Sequence, residues 1–382
     1  MDINAVPVSK IVEIGRLAAA LPDVDYLLFG ESDYPSPASA RDALVAALDG
    51  GATTYPDVRG IPPLQEALAS YLTGLHDWPV EDDRIQITAS GMAAVSIALA
   101  ATVKPGQRVL LHSPAWPNLG NAALSRGAQV AELELTGLPD GRFRLDLQHL
   151  DAALEGCRAF ILNSPNNPTG WTATYDELQG ILNLCRQHGV WLISDEVYSR
   201  LVYDGRAAAP SLLDIAEPED RVLVCNSFSK GWAMAGWRLG WIVTPAGLRD
   251  RIADIVEVTH SGVASYTQYG GVAALGDTPF MQEFQAYCAQ GRALVSEMLK
   301  GLNGIRYTAP DGAFYAFVGA EGLTDSLAVA RHLVTKNKVA VAPGIAFGES
   351  GEGFLRICFA QRRDRLERAM GRLRAGLKEV LA

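Results

Sequence analysis

The sequence predicts an α/β fold: a mostly parallel sheet sandwiched by helices, joined to a smaller α+β domain. Three observations lead there. From about residue 84, short β-branched runs alternate with helical stretches, as in repeated βαβ units. After about residue 275 the order changes, and helices are interspersed with only three short apolar runs. The 382 residues, 48% of them hydrophobic, suffice for two ordinary domains with packed cores.

Residues 1–45 include "LLFGESDYPSPASA" (27–40), a stretch of loop chemistry assigned to the smaller domain. The larger domain, 46–275, holds the alternation. "RIQIT" (84–88) precedes a helix near 91–103, and "RVLLH" (108–112) precedes one near 117–126. "AQVAELEL" (128–135) follows, then "RAFILN" (158–163) with a helix near 174–188. "VWLIS" (190–194), "RVLVCNS" (221–227) and "GWRLGWIV" (236–243) complete the strands, and a long helical stretch covers 247–275. Residues 276–382 read as a helix near 279–303, "YAFVG" (315–319), a helix near 324–334, "KVAVA" (338–342), "FLRICFA" (354–360) and a closing amphipathic helix near 362–380. In open parallel sheets ligands sit at the carboxyl ends of the strands, so chemistry is sought there.

Composition removes several classes. A net charge of −10 argues against a nucleic-acid or anionic-membrane surface. The five cysteines are scattered without a CxxC, which fits a reducing compartment. The first residues lack the pattern of a secretion signal, and no run approaches the roughly 18 apolar residues of a membrane span. A cytoplasmic protein is expected. There is no GxGxxG, GxxxxGK[ST], GxSxG or HExxH, and the six histidines have no metal-ligand spacing. No metal is expected.

The chemistry is sought in "NSFSKGWAMAGWRLGW" (226–241). An isolated lysine is usually a solvated charge. Lys230, set among Phe228, Trp232 and Met234, is instead expected to lose water, which favours its neutral, nucleophilic form. Such an amine forms a Schiff base with an aldehyde. Ser227 and Ser229 offer hydroxyls beside it, and Arg238 offers a planar fork for a phosphate.

The stretch resembles the pyridoxal-phosphate-dependent aminotransferases of fold type I, the class I and II family, whose S-x-S-K and G-x-R-x-G stand here as "SFSK" and "GWRLG". The resemblance implies pyridoxal 5'-phosphate joined to Lys230, with Ser227 and Arg238 on its phosphate. It implies that Asp195, at the end of "VWLISDEVYSRLVY", pairs with the ring nitrogen and that Tyr198 bonds the ring's phenolic oxygen. Read alone, Asp195 is an ordinary strand-end or capping aspartate. "NSPNNPTG" (163–170) read alone is a turn; in the family's order its Asn167 bonds the same phenolic oxygen.

In "ITASGMAAVSIAL" the strand-to-helix junction is either a plain Ser90 or Gly91 cap or a phosphate cradle of free N–H groups at Gly91, Met92 and Ala93. Family members often have a polar side chain after this glycine, so Met92 and Ala93 leave the phosphate to backbone amides. Trp116 in "HSPAWPNLG" is core or, by resemblance, the aromatic stacked on the cofactor ring. Tyr55 in "TTYPDVRGIPPLQEAL" matches the tyrosine that reaches the phosphate of a neighbouring subunit, which implies a homodimer. Arg356 in "EGFLRICFA" reads as an edge charge, or by resemblance as the grip on the substrate α-carboxylate, with Gly30 near it. Ser32 replaces the proline usual after that glycine-glutamate pair.

The expected activity is transfer of an amino group from an L-amino acid to a 2-oxo acid, Lys230 serving as general base. The nearest alternative is a lyase or cyclase on the same scaffold; Arg238, which sulfur-eliminating relatives generally lack, favours transamination. A ligand-sensing regulator would carry an additional basic domain, and a dehydrogenase a Rossmann fingerprint. "HSGVASYTQYGG" (260–271) holds no second arginine of the kind used for dicarboxylate selectivity. Tyr34, Trp116, Leu119 and His260 are expected to line the side-chain pocket.

Overall fold

The computed structural model describes residues 7–76 and 78–380; the first six residues of the 26-residue stretch read for a secretion signal lie outside them. Seven strands form the main sheet: β1 Ile85–Thr88, β2 Arg108–Ser113, β3 Gln129–Glu134, β4 Cys157–Asn163, β5 Trp191–Asp195, β6 Val222–Ser227 and β7 Gly240–Val243. Their order is β1-β7-β6-β5-β4-β2-β3. Neighbours pair in parallel except β7, which is antiparallel to both β1 and β6. The expected mostly parallel sheet is therefore present.

Helices cover both faces, which is why β6 is buried at every position rather than alternating. Successive strand residues still point to opposite sides. Ile161, Ile193 and Ile242 pack with Ala94, Ile97 and Val256 on one face. Phe160, Leu162 and Leu192 pack with Leu178, Ile181 and Leu182 on the other. The helix Tyr175–His188 is bounded by a Thr174–Glu177 capping box and by Gly189 in the left-handed conformation.

A second sheet comprises β8 Ile305–Arg306, β9 Tyr315–Ala320, β10 Ala342–Pro343 and β11 Phe354–Cys358, ordered β8-β9-β11-β10 and antiparallel throughout. The N-terminal segment packs with it. Asp25–Tyr26 pairs with Val339–Ala340, and Ile11, Ile14 and Ala18 share a core with Ala330, Val334 and Phe347. Arg368 and Arg372 of the closing helix both reach the Asp25 carboxylate.

The structure departs from expectation at two places. The stretch 247–275 is two helices, Arg249–His260 and Ser265–Gly276, broken where Ser261 and Gly262 both take positive φ. "KVAVA" is two fragments in different sheets, Val339–Ala340 beside Asp25–Tyr26 and Ala342–Pro343 beside β11. Helices Lys10–Ala19, Ala38–Asp49, Pro62–His76 and Leu147–Leu154 lie in stretches that the periodicity left unassigned.

Candidate active site

Four parallel strands end in buried polar residues: Ser113 on β2, Asn163 on β4, Asp195 on β5 and Ser227 on β6. Three of these border a cavity of about 310 Å³ between the strand ends and the second sheet. Gly30, Gly91, Met92, Trp116, Asn167, Asp195, Tyr198, Ser227, Ser229, Lys230, Arg238 and Arg356 all line it.

Lys230 sits on a single helical turn, Phe228–Gly231, that directly follows β6. Its amine donates to the Gly30 carbonyl rather than to a carboxylate. The Phe314 and Tyr198 rings lie 5.8 and 5.9 Å from Nζ. Burial lowers the amine's pKa to about 8, and the Arg356 charge pushes it the same way. The neutral amine is thus accessible near neutral pH.

Burial drives Asp195 in the opposite direction, to a pKa of about 7. Its carboxylate accepts a long hydrogen bond of 3.4 Å from the Val197 N–H, and no side-chain donor among the described residues reaches it. Asn163 ties this strand end in place: Nδ2 donates to the Asp195 carbonyl at 3.0 Å, and Oδ1 accepts from the Asn167 N–H at 2.9 Å. The Tyr198 hydroxyl lies 2.7 Å from that of Tyr315.

Arg356 belongs to β11 yet is only 1% exposed, so it is no edge charge. Its guanidinium lies against Tyr315 and Phe347, 4.4 and 4.8 Å from the ring centroids. One nitrogen donates to Asn167 Oδ1 at 2.9 Å and another to the Leu28 carbonyl, while Nε has no partner among the described residues. A buried, incompletely bonded guanidinium facing a cavity is a site for an anion.

At the junction after β1, Ser90 caps the helix Gly91–Thr102 by accepting from the Ala93 N–H at 3.0 Å. That amide is therefore engaged, and Ala93 is absent from the cavity wall, unlike Gly91 and Met92. Ser227 Oγ accepts from the Ser229 N–H at 3.0 Å and donates to the Leu239 carbonyl at 2.9 Å. Arg238 takes a left-handed φ of 56° and is exposed. The final glycine of "GWRLG" has a steric cause. A Cβ on Gly240 would stand 2.7 Å from the Asn226 carbonyl oxygen and 2.9 Å from the Gly91 nitrogen. Gly30 is constrained likewise, since its Cβ would meet the Tyr315 hydroxyl at 2.2 Å.

Tyr55 is not brought to the cavity of its own chain; it is 91% exposed. Of the four positions expected around a substrate side chain, only Trp116 lines the cavity. Leu119 is fully buried on the helix Pro117–Leu124, His260 bonds the Gly262 carbonyl, and Tyr34 packs against Phe284 and Tyr287. Asn163, Tyr315, Phe29 and Glu31 also line the cavity and were not anticipated. Asn163 stands in the quoted "NSPNNPTG", and Phe29 and Glu31 flank Gly30 in the quoted "LLFGESDYPSPASA"; Tyr315, on the second sheet, has no local signal.

An amine and a buried acid at the carboxyl edge of a doubly covered sheet, faced by a buried guanidinium from the second sheet, make a site suited to an anionic substrate beside a reactive amine. The family model for aminotransferase class I and II matches residues 24–373, and the chain belongs to that family. It is similar to the aspartate aminotransferase of Thermotoga maritima, 32% identical over 378 residues covering 97% of each chain. It is also 32% identical to the aromatic-amino-acid aminotransferase 2 of Thermococcus litoralis, over 97% of this chain and 96% of that one. The crystal structure of the Thermotoga maritima aspartate aminotransferase superposes with a TM-score of 0.90 at 31% identity, covering 98% of this chain and 99% of that one.

The protein is therefore a pyridoxal 5'-phosphate-dependent aminotransferase. The cavity's donor set fits that cofactor: a primary amine for its aldehyde, a buried acid without a side-chain donor for its ring nitrogen, and hydroxyls with a helix start for its phosphate. Among the described residues no helix is long and apolar enough to cross a membrane.

Proposed function

We propose that Lys230 holds the cofactor and moves the proton of the donor's Cα, that Asp195 pairs with the ring nitrogen, and that Arg356 binds the α-carboxylate. The observation that carries this reading is that Lys230 and Asp195 line one cavity at adjacent strand ends. Bound pyridoxal phosphate supplies an aldehyde that takes up the amine and a ring that draws electrons from Cα.

The chain's own groups do the rest. Arg356, held in place by Asn167 and the Leu28 carbonyl, presents its guanidinium to the cavity and fixes the donor's orientation. Lys230, poised near its own pKa, takes a proton from Cα and returns it. Asp195 becomes a permanent anion once a cationic ring nitrogen offsets the burial that raises its pKa. Asn167 and Tyr198 supply an amide and a hydroxyl for the phenolic oxygen. Gly91, Met92, Ser227, Ser229 and Arg238 cradle the phosphate, Ala93 extends that helix start, and Trp116 stacks on the ring. Gly30 approaches the substrate carboxylate.

Borohydride treatment of the holoenzyme tests the assignment, because it reduces a Schiff base to a stable secondary amine. Digestion and mass spectrometry are expected to find the cofactor's mass on the peptide containing Lys230. Label on any other of the chain's lysines overturns the reading.

The same reading places the protein in the cytoplasm and divides the chain into segment 1–45, a large domain 46–275 and a small domain 276–382. The first boundary falls within the helix Ala38–Asp49. It also makes the protein a homodimer in which Tyr55, exposed in one chain, reaches the phosphate of the other. Sedimentation should give twice the chain's 40.9 kDa. Mixing inactive Lys230→Ala and Tyr55→Ala chains should restore activity, since a mixed dimer holds one site with both residues intact. A stable monomer, or no recovery in a demonstrated mixed dimer, counts against it.

A further inference from the structure

The cavity holds three cations among the described residues, Lys230, Arg238 and Arg356. The roles given above engage all three with the cofactor or the α-carboxylate, and the inference here rests on that reading. None remains for a second carboxylate. The wall that those roles leave for a side chain is Phe29 and Tyr315, with the Met92 side chain, whose backbone amide alone serves the phosphate, and the rim of Trp116; the only acid on the cavity besides Asp195 is Glu31. Phe29 is 40% exposed and Glu31 is exposed, so both stand at the mouth. Glu31 is close enough for its charge to act on both Lys230 and Tyr315.

A neighbouring chain does not readily supply the missing cation. The segment beside Tyr55 in space is 261–263, where Gly262 lies against Pro56 and Asp57. No lysine or arginine occurs from residue 252 to 291, or from 42 to 58. The arginines that border the stretch around Tyr55, Arg41 and Arg59, are paired with Asp42 and Asp250.

We propose that the donor is a monocarboxylic amino acid with an apolar or aromatic side chain, packed against Phe29, Met92, Trp116 and Tyr315, and that Glu31 repels dicarboxylic donors. Burial of such a side chain on an aromatic and thioether wall supplies affinity. A side-chain carboxylate would lose water there, gain no partner and face a like charge. The 2-oxo acid enters the same cavity and is selected the same way.

Stopped-flow half-reactions of the holoenzyme with phenylalanine, methionine, leucine, aspartate and glutamate test this. The neutral donors should exceed both acidic ones in kcat/KM by about 30-fold or more, within the range over which a hydrophobic pocket separates substrates. Glu31→Lys should raise the aspartate-to-leucine ratio about tenfold, and Glu31→Gln about threefold. Aspartate or glutamate reacting as fast as phenylalanine overturns the proposal, as does a ratio that neither variant moves. Failure of the underlying reading is distinguishable, because Lys230→Ala would then keep turning over; a wild type that prefers aspartate beside an inert Lys230→Ala removes only the substrate class.

Discussion

Lys230→Ala is expected to remove the Schiff-base absorbance and to lower kcat by about 10⁴-fold or more, combining loss of the covalent attachment with loss of the general base. The native amine is held on the Gly30 carbonyl beside two aromatic rings, and burial lowers its pKa to about 8. An alanine leaves the hydroxyls, Arg238 and Asp195 in place, so cofactor should still bind without a covalent link. A small primary amine in the buffer should then recover part of the proton transfer, whereas a variant that had merely unfolded would recover nothing. Absorbance, single-turnover kinetics and amine rescue check this together. Multiple turnovers by unsupplemented Lys230→Ala would falsify the assignment.

The residues that prompt this experiment are legible in the sequence because each lies in a short run whose order carries its own geometry. Asp195 ends an apolar strand, Lys230 follows another by three residues, and Gly240 closes a motif whose last position tolerates no Cβ. The alternation of β-branched and helical runs likewise exposes the parallel sheet. What escapes the sequence arrives through tertiary contact. Tyr315 and the Tyr198 hydroxyl lie 117 positions apart yet 2.7 Å apart in space. Phe29 and Glu31 flank the legible Gly30, but that they reach the cavity depends on their segment packing beside the second sheet. Leu119 shows the converse error. It stands three residues from Trp116, but the helix that begins at Pro117 turns it into the core.

Helix breaks follow the same division. Ser261 and Gly262 divide the long helical stretch 247–275, but the apolar periodicity continues on both sides and hides the break. In "KVAVA" no residue marks the point where the chain leaves one sheet for another. That transfer depends on which partner strand, Asp25–Tyr26 or β11, is at hand.

Asp195→Asn is expected to change stability and activity in opposite senses. Burial raises the native carboxyl from an ordinary 3.8 to about 7. In the unfolded chain the group is ionised above about pH 4, so between pH 4 and 7 the folded cofactor-free protein binds a proton that the unfolded one does not. Its stability therefore falls as pH rises through that window, and the cost is complete above pH 7. At 1.36 kcal/mol per pKa unit, the penalty is on the order of 4 kcal/mol at pH 8. Asparagine carries no charge and avoids most of it. Denaturant melts of cofactor-free protein should thus show Asp195→Asn more stable than wild type by about 2–4 kcal/mol at pH 8, with the gap closing toward pH 4. Adding pyridoxal phosphate should reverse the order, because a cationic ring nitrogen offsets the buried charge only when the aspartate is present. Activity of the same variant should drop about 10²–10³-fold, the scale for removing one preorganised electrostatic partner at a reacting centre. A variant no more stable than wild type at pH 8 without cofactor, or one active within about threefold, would show that the buried acid is not held in reserve for the cofactor's charge.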